Sequence, residues 1–251
     1  MLNNNISAAR SEEVSAMETL LQAMERFGKD AVFSCSFGAE DMIILHMLYS
    51  FREKNSIIPD IITLDTGRLN EETYALIDLA IQKYGFSIKF LHPDADRLSG
   101  MMKDYGPNLF YRSVELRKKC CEARKIVPLN TELSTRKAWI TGLRREQSVD
   151  RSTVQKIMED PDRDGLFKIN PLADWTEEQV WNYIRQNEIP YNSLHDRGFP
   201  SIGCAPCTRA ILQGEDSRAG RWWWETGKKE CGIHRMSAEI NSSNEQDVKN
   251  L

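Results

Sequence analysis

Apolar residues recur along this chain in two alternating rhythms. Over residues 11–27, Val14, Met17, Leu20, Leu21 and Met24 share one face of a 3.6-residue repeat, which predicts an amphipathic helix after a loose arm at residues 1–10. The next run, Ala31-Val32-Phe33-Ser34-Cys35-Ser36, is short and apolar and reads as a buried strand. It passes through Phe37-Gly38-Ala39 into a helix reaching about Tyr49. The alternation then repeats, with a strand at 60–65, a helix across 70–84 and a strand at 87–91. A helix is expected over 113–127, a strand at 138–142 and another at 167–170. Thr176-Glu177-Glu178-Gln179 is a capping box that opens a helix to about Asn187. After Pro190 the pattern turns Gly/Pro-rich and loop-like, and residues 237–251 are polar and read as disordered. There is no internal repeat.

Strands alternating with helices predict an α/β fold: a doubly wound, mostly parallel sheet with helices on both faces. Ligands in such sheets sit beyond the carboxyl ends of the strands. Three polar segments fall there, namely Ser36-Phe37-Gly38-Ala39-Glu40-Asp41, Leu64-Asp65-Thr66-Gly67-Arg68 and Thr141-Gly142-Leu143-Arg144-Arg145. They are expected to converge on one cleft. The first is a strand, small residues and a helix N-terminus, a place that favours an anion, and Gly38 would let the backbone come close to it. It is neither a Walker A motif nor a Rossmann fingerprint.

The chain has 251 residues, 41% of them hydrophobic, so it can bury a sizeable core. No apolar run is long enough to cross a bilayer. The N-terminus lacks a basic region followed by an apolar one, so a cytoplasmic setting without structural disulfides is expected. A net charge of −4 argues against general nucleic-acid binding. Basic residues nevertheless cluster at Arg117-Lys118-Lys119, Arg124-Lys125, Arg144-Arg145, Arg218, Arg221 and Lys228-Lys229. Any one cluster reads as solvated surface. Several beside cysteines favour an anionic substrate.

The six cysteines divide by setting. Cys35 lies mid-strand between Phe33 and Phe37 and reads as an inert core thiol. Cys120-Cys121 and Cys204-Ala-Pro-Cys207 supply four thiolates. Zinc usually takes two hooks of spaced cysteines, and adjacent cysteines turn poorly to one small ion, whereas a [4Fe–4S] cluster offers each sulfur its own iron. Both metals stay open on spacing alone. Cys231, in a polar Gly/Lys-rich stretch, is the candidate nucleophile, with Lys228, Lys229 and His234 near enough in sequence to lower its pKa. No second thiol remains to resolve an adduct on Cys231, so any reduction there must finish with an outside thiol.

The pieces Ser36–Asp41, Leu64–Arg68, Cys120-Cys121-Glu122-Ala123-Arg124-Lys125, Gly142–Ser148, Gly203–Cys207, Arg218-Ala219-Gly220-Arg221 and Glu230-Cys231-Gly232-Ile233-His234, in this order, resemble the assimilatory adenylyl-sulfate (APS) and PAPS reductases. The wider resemblance is to the adenine-nucleotide α-hydrolases, whose pyrophosphatases carry Ser-Gly-Gly-x-Asp-Ser. Here Phe37 replaces a Gly and Glu40-Asp41 follow, which is expected to leave a pyrophosphate less room and more repulsion. The resemblance implies one [4Fe–4S] cluster per subunit on Cys120, Cys121, Cys204 and Cys207, the mark of the APS-using branch, with use of PAPS or of both nucleotides kept open. It implies nucleotide contacts at Ser36, Phe37, Gly38, Leu64, Asp65, Thr66, Gly67, Gly142 and Arg144 (or Arg145). Lys125, Arg144 (or Arg145), Arg218 and Arg221 would neutralise the phosphate and sulfate oxygens, and His234 would serve catalysis beside Cys231. Cys231 would take the SO₃ group as an S-sulfonate, and thioredoxin would release sulfite; family members are often homo-oligomers.

The expected organisation is a nucleotide-binding domain at 1–221, a mobile flap at 222–236 and the tail at 237–251. Trp222-Trp223-Trp224 reads as a packing anchor for the flap rather than a base-stacking platform. Two rival readings are a zinc-bearing, ATP-using thiolation enzyme on the same fold and a non-enzymatic Cys₄ module.

Overall fold

The structure, a computed structural model, describes residues 2–52, 57–226 and 232–234, with side chains from residue 13 onward. Helix α1 (Leu2–Phe27) leads into β1 (Ala31–Ser34), α2 (Ala39–Arg52), β2 (Asp60–Leu64), α3 (Glu71–Tyr84) and β3 (Ile88–Leu91). Then come α4 (Ala95–Tyr105), α5 (Val114–Cys121), α6 (Val127–Leu133), β4 (Ala138–Ile140), β5 (Ile157–Glu159), β6 (Phe167–Ile169) and α7 (Glu177–Gln186). The six strands form one sheet in the order β3-β2-β1-β4-β6-β5, parallel throughout except for β5, which pairs antiparallel with β6 at the edge.

Side-chain alternation along the central strands explains why both faces are covered. Ala31, Phe33, Ala138 and Ile140 pack with residues of α1, α2, α3 and α7 in the larger core. Their strand neighbours Val32 and Trp139 point the other way, to Leu129 and Leu133 of α6. Strand order reverses direction between β1 and β4, so a crevice opens beyond the carboxyl ends of these two strands. The predicted doubly wound α/β fold is the one observed.

Several expectations need correction. The arm at 1–10 is helical from Leu2, carried by residues such as Ala8 and Ala9 that favour a helix intrinsically. The helix expected at 113–127 breaks after Cys121 into a π-helical turn, Glu122–Ile126, before α6 resumes. Pro128, at the start of α6, has no N–H for the carbonyl four residues back, and Val127 N–H bonds to Glu122 O across the widened turn. Helix α4 was not anticipated, although Asp94 caps it by accepting from Arg97 N at 2.8 Å. The tail at 237–251 lies outside the described residues.

Candidate active site

The turn after β1 is held by its own carboxylates. Asp41, in the first turn of α2, accepts both the N–H and the hydroxyl of Ser36 on Oδ2, each at 2.6 Å. Burial pushes its pKa up to about 6, opposed mainly by those Ser36 hydrogen bonds. Glu40 accepts from Arg144 Nε at 2.8 Å and from Gln147 Nε2 at 2.9 Å. Burial alone would raise the Glu40 pKa, but the charge and hydrogen bond of Arg144 outweigh it and leave it lowered. The expected repulsion is therefore corrected for Glu40, whose charge is met by Arg144, while Asp41 is held by Ser36 without a counter-ion among the described residues. The expected crowding by Phe37 is also corrected. Its backbone is left-handed at φ 59, and its side chain is buried in the core beneath the crevice rather than lining it.

Arg144 lines the crevice, but its guanidinium is committed to Glu40, to Glu146 at 3.2 Å and to Trp175 O at 3.1 Å. Arg144 thus reaches the crevice wall as a paired cation that also braces the first loop against the third. Arg145 donates to Val154 O and does not line the crevice. Gly142 lies against the same brace, since a Cβ there would sit 2.3 Å from Asp41 Oδ1.

The loop after β2 joins the crevice to the cysteines. Asp65 accepts from Gly67 N at 2.8 Å and from Tyr74 Oη at 2.7 Å, and Gly67 has φ 68, so these two shape the turn while Leu64 and Thr66 line the crevice. The Thr66 hydroxyl lies 3.3 Å from Cys204 Sγ, and Ala205 N donates to Arg68 O at 2.9 Å. Cys120 and Cys121 arrive from the end of α5, and the four thiols, all buried, line a single second cavity.

The crevice itself has a volume of about 290 Å³ and is lined by Ser36, Gly38, Leu64, Thr66, Lys125, Gly142, Arg144, Arg218, Arg221 and His234 among others. Lys125, Arg221 and Trp222 line both cavities. Lys125 attracts and hydrogen-bonds the Cys204 sulfur. Burial would raise that thiol's pKa, but Lys125, Thr66 and Arg221 together pull it below its ordinary value. Cys207, with burial and Cys204 acting in one direction, is pushed up to about 12. Arg221 stacks on Trp222, with its guanidinium carbon 4.7 Å from the ring centroid. Trp222 and Trp224 pack around the cysteines, as a packing anchor should, while Trp223 is 39% exposed. Burial drives the Cys35 thiol well above its usual pKa, in keeping with an inert core residue.

Cys231 lies outside the described residues. Of the three residues after it, Ile233 and His234 line the crevice: Ile233 packs with the α6-side core and the His234 ring stacks on Trp139 at 5.0 Å and 15°, while Gly232 lies close to Ile126. Burial holds His234 well below its usual pKa, and Lys168, Arg151, Arg163 and Arg218 add repulsion. The expectation that His234 supplies charge to Cys231 is corrected accordingly, since an imidazole kept neutral is no cation. Trp139 and Arg151, which also line the crevice, were not picked out from sequence. Trp139 reads there as ordinary strand core, and Arg151 lies beyond the motifs.

Among the described residues, no three His, Cys, Asp or Glu side chains are grouped to hold a single metal ion. Four buried thiols line one cavity, a donor set compatible with a metal centre.

Residues 30–210 match the profile of the phosphoadenosine phosphosulfate reductase domain. The chain belongs to this family. It is 49% identical over 228 residues to the adenosine 5'-phosphosulfate reductase of Burkholderia cepacia, covering 90% of this chain and 88% of that one. The crystal structure of the phosphoadenylyl-sulfate (PAPS) reductase of Candida auris is similar with a TM-score of 0.63 at 28% identity, over 76% of this chain and 89% of the other. The FMN adenylyltransferase of Candida glabrata shares the fold alone, with a TM-score of 0.58 at 14% identity over 98% and 83% of the two chains. Among the described residues of this reductase-family chain, no helix is long and apolar enough to cross a membrane.

Proposed function

We propose that the protein reduces adenosine 5'-phosphosulfate to sulfite and AMP, with Cys231 as nucleophile and a thioredoxin-type dithiol as reductant. The observation that carries this reading is the junction of the two cavities. The crevice at the β1/β4 switch point meets the four-cysteine cavity through Lys125 and Arg221, and Ile233 and His234 line the same crevice. Relatives 41–49% identical bear the name adenosine 5'-phosphosulfate reductase, which favours this nucleotide over its 3'-phosphorylated form.

In this reading the adenosine lies along Leu64–Gly67 and the Ser36–Gly38 turn, and Gly142 leaves room for the braced loop. The phosphosulfate points to Lys125, Arg218 and Arg221, which neutralise its oxygens as a thiolate approaches. Cys231 S⁻ attacks the sulfate sulfur in line. The S–O bond to the phosphate breaks, AMP leaves with the electron pair, and Cys231 holds an S-sulfonate. A thiolate of the dithiol then attacks the Cys231 sulfur, sulfite departs with the S–S electron pair, and the second thiol resolves the mixed disulfide. Sulfur gains two electrons and one dithiol becomes a disulfide, so the step balances. Positioned cations supply the largest part of the acceleration, because two anions must meet.

Cys120, Cys121, Cys204 and Cys207 would hold a [4Fe–4S] cluster, one per subunit, whose role is structural and electrostatic beside Lys125. The stretch 222–236 acts as the flap that carries Cys231 between nucleotide and reductant.

Two measurements test the reading. Anaerobically purified protein should contain iron and acid-labile sulfide and release sulfite from adenosine 5'-phosphosulfate with thioredoxin. A preference for the 3'-phosphorylated nucleotide would reassign the substrate, and colourless zinc protein would overturn the cluster. Mixed with substrate, the parent should gain the mass of SO₃ and Cys231→Ser should not; an adduct on that variant would move the nucleophile elsewhere.

A further inference from the structure

Trp139 stands in the middle of β4, is 1% exposed and lines the crevice. Its register partner on β6 is Lys168, so the two side chains leave the sheet on the same face. The Lys168 ammonium lies 4.9 Å from the Trp139 ring centroid, and the Arg163 guanidinium carbon lies 5.1 Å from it. One carboxylate, Asp160, serves both cations, at 3.0 Å from Arg163 and 4.0 Å from Lys168. The surroundings of this ring are therefore positive on balance. Yet the group stacked on it is His234, with centroids 5.0 Å apart and planes 15° from parallel. The buried Nδ1 of His234 has no hydrogen-bond partner among the described residues, and the Trp139 indole N–H has none either. What His234 contributes in this place is the face of its ring.

Its two chain neighbours are fixed independently. Ile233 packs beside Trp139, Leu129 and Leu133. Gly232 has φ 87, and a Cβ there would stand 3.2 Å from Ile126 Cδ1. Ile126 directly follows Lys125, the cation shared by both cavities. Cys231 directly precedes Gly232, so whatever holds Gly232–His234 limits where its thiol can go. We propose that His234 is a positioning residue: its imidazole seats the segment that follows Cys231 on Trp139, and the cations around the seat admit only a neutral ring. The inference rests on the reading of Cys231 as nucleophile.

A dependence on pH follows from the same geometry. Lys168 of β6, Arg163 in the turn before it, Arg151 after β4 and Arg218 before Trp222 all repel a proton on His234, and burial repels it more. Asp160 is divided between Lys168 and Arg163, and the flanking Glu230 and Arg235 lie outside the described residues. A released histidine titrates near its ordinary value of about 6.5, whereas the seated ring stays neutral well below it. Above about pH 6.5 both forms are neutral and seating is complete. Below it the released ring takes up a proton that the seated ring refuses, so seating weakens as pH falls. From pH 7.5 to 5.5 the seating equilibrium should fall about tenfold.

Two measurements test the seat. In protein labelled with ¹³C at histidine Cε1, loss of one of the four signals in His234→Phe assigns His234. At pH 7.5 that signal should carry the upfield shift of a stacked ring, and it should move to the unstacked position with a midpoint below pH 6.5. An unstacked signal at pH 7.5, or a midpoint at or above 6.5, overturns the seat. The second measurement is the rate of S-sulfonate formation. His234→Leu should slow it by about two- to tenfold, the contribution of one stacked pair, while KM for the nucleotide holds. His234→Phe keeps a ring without a proton to gain, so it should recover most of that loss. Its rate relative to the parent should rise several-fold from pH 7.5 to 5.5, a ratio in which the ionisation of Cys231 cancels. A Phe variant as slow as the Leu variant makes a ring nitrogen the working group and overturns the seat, and a ratio constant with pH overturns the exclusion of the proton. A parent that forms no S-sulfonate refutes Cys231 as nucleophile, and the seat then stands or falls on the His234 signal alone.

Discussion

Gly142→Ala is the smallest change that reaches the nucleotide loop through its hidden brace. The glycine's backbone is ordinary in conformation, and what it lacks is space: an added Cβ would stand 2.3 Å from Asp41 Oδ1 and 3.0 Å from Glu40 Cβ. Asp41 must retreat before the alanine fits, and its other oxygen holds both Ser36 donors at 2.6 Å. Overpacking of this kind costs about 1–3 kcal/mol. Each hydrogen bond to a carboxylate adds roughly 1.5–3 kcal/mol if lost outright. With partial relaxation, a loss of about 2–4 kcal/mol is expected, which lowers Tm by roughly 5–10 °C for a chain of this size. The Ser36 turn is displaced as well, so AMP affinity measured by calorimetry should fall about tenfold to a hundredfold, or 1.4–2.8 kcal/mol. A double-mutant cycle isolates the cause. In an Asp41→Ala background the atom that Gly142→Ala strikes is gone, and the second alanine should cost about 1 kcal/mol or less. A single variant with the parent's Tm and AMP affinity, or strictly additive losses, would refute the brace.

Gly203→Ala tests Arg221 without removing its charge. An added Cβ would lie 2.4 Å from Arg221 Nη2, the mobile end of a long side chain, so the guanidinium moves and the fold persists. Sulfite production should drop about 10²–10³-fold at near-parental Tm, as for loss of one positioned donor; undiminished turnover would remove Arg221 from the reaction. Lys168→Met probes the buried ammonium beneath Trp139, whose pKa burial pulls down from 10.5 to about 8 despite Asp160. Between those two pH values the unfolded chain keeps a proton that the folded chain has shed, so the parent's stability rises with pH there. The Met variant's relative advantage at pH 7 should therefore shrink by about 3 kcal/mol by pH 11, read from urea melts at each pH. A pH-independent difference would contradict the assigned burial cost.

The strand–helix alternation was readable because β1, β2 and β4 are apolar runs that each end in small or polar residues, and that placed Ser36, Thr66 and Gly142 at one crevice before any coordinates. The cysteine grouping was readable for a similar reason, since Cys120-Cys121 and Cys204-x-x-Cys207 are local patterns. What escaped the sequence depends on pairs far apart in the chain. Glu40 and Arg144 are 104 residues apart, and Arg117 and Glu225 are 108 apart, so neither pairing leaves a local trace. Phe37 looked like an obstacle because a left-handed backbone at a non-glycine residue cannot be inferred from its type. Helix α4 escaped despite a legible signal, since Leu98, Met101, Met102 and Tyr105 form a regular helical face after the Asp94 cap, whereas β5 is an edge strand of only three residues. The π turn was the most consequential omission, since it sets where Lys125 falls relative to Cys121 and carries that side chain to the wall shared by both cavities.

The hydrogen-bonded β1–α2 turn also limits how this scaffold can be re-engineered. Grafting the Ser-Gly-Gly-x-Asp-Ser loop over residues 36–41 would shorten Glu40 to Asp, drawing the carboxylate back from Arg144 and Gln147, and would replace Asp41, the acceptor of both Ser36 donors, by Ser. The buried arginine's main counter-ion would be displaced, and the loss of Phe37 would leave a void in the core below. A successful swap of nucleotide chemistry has to move residues 36–41 and 142–147 together, because the two loops form one unit of exchange.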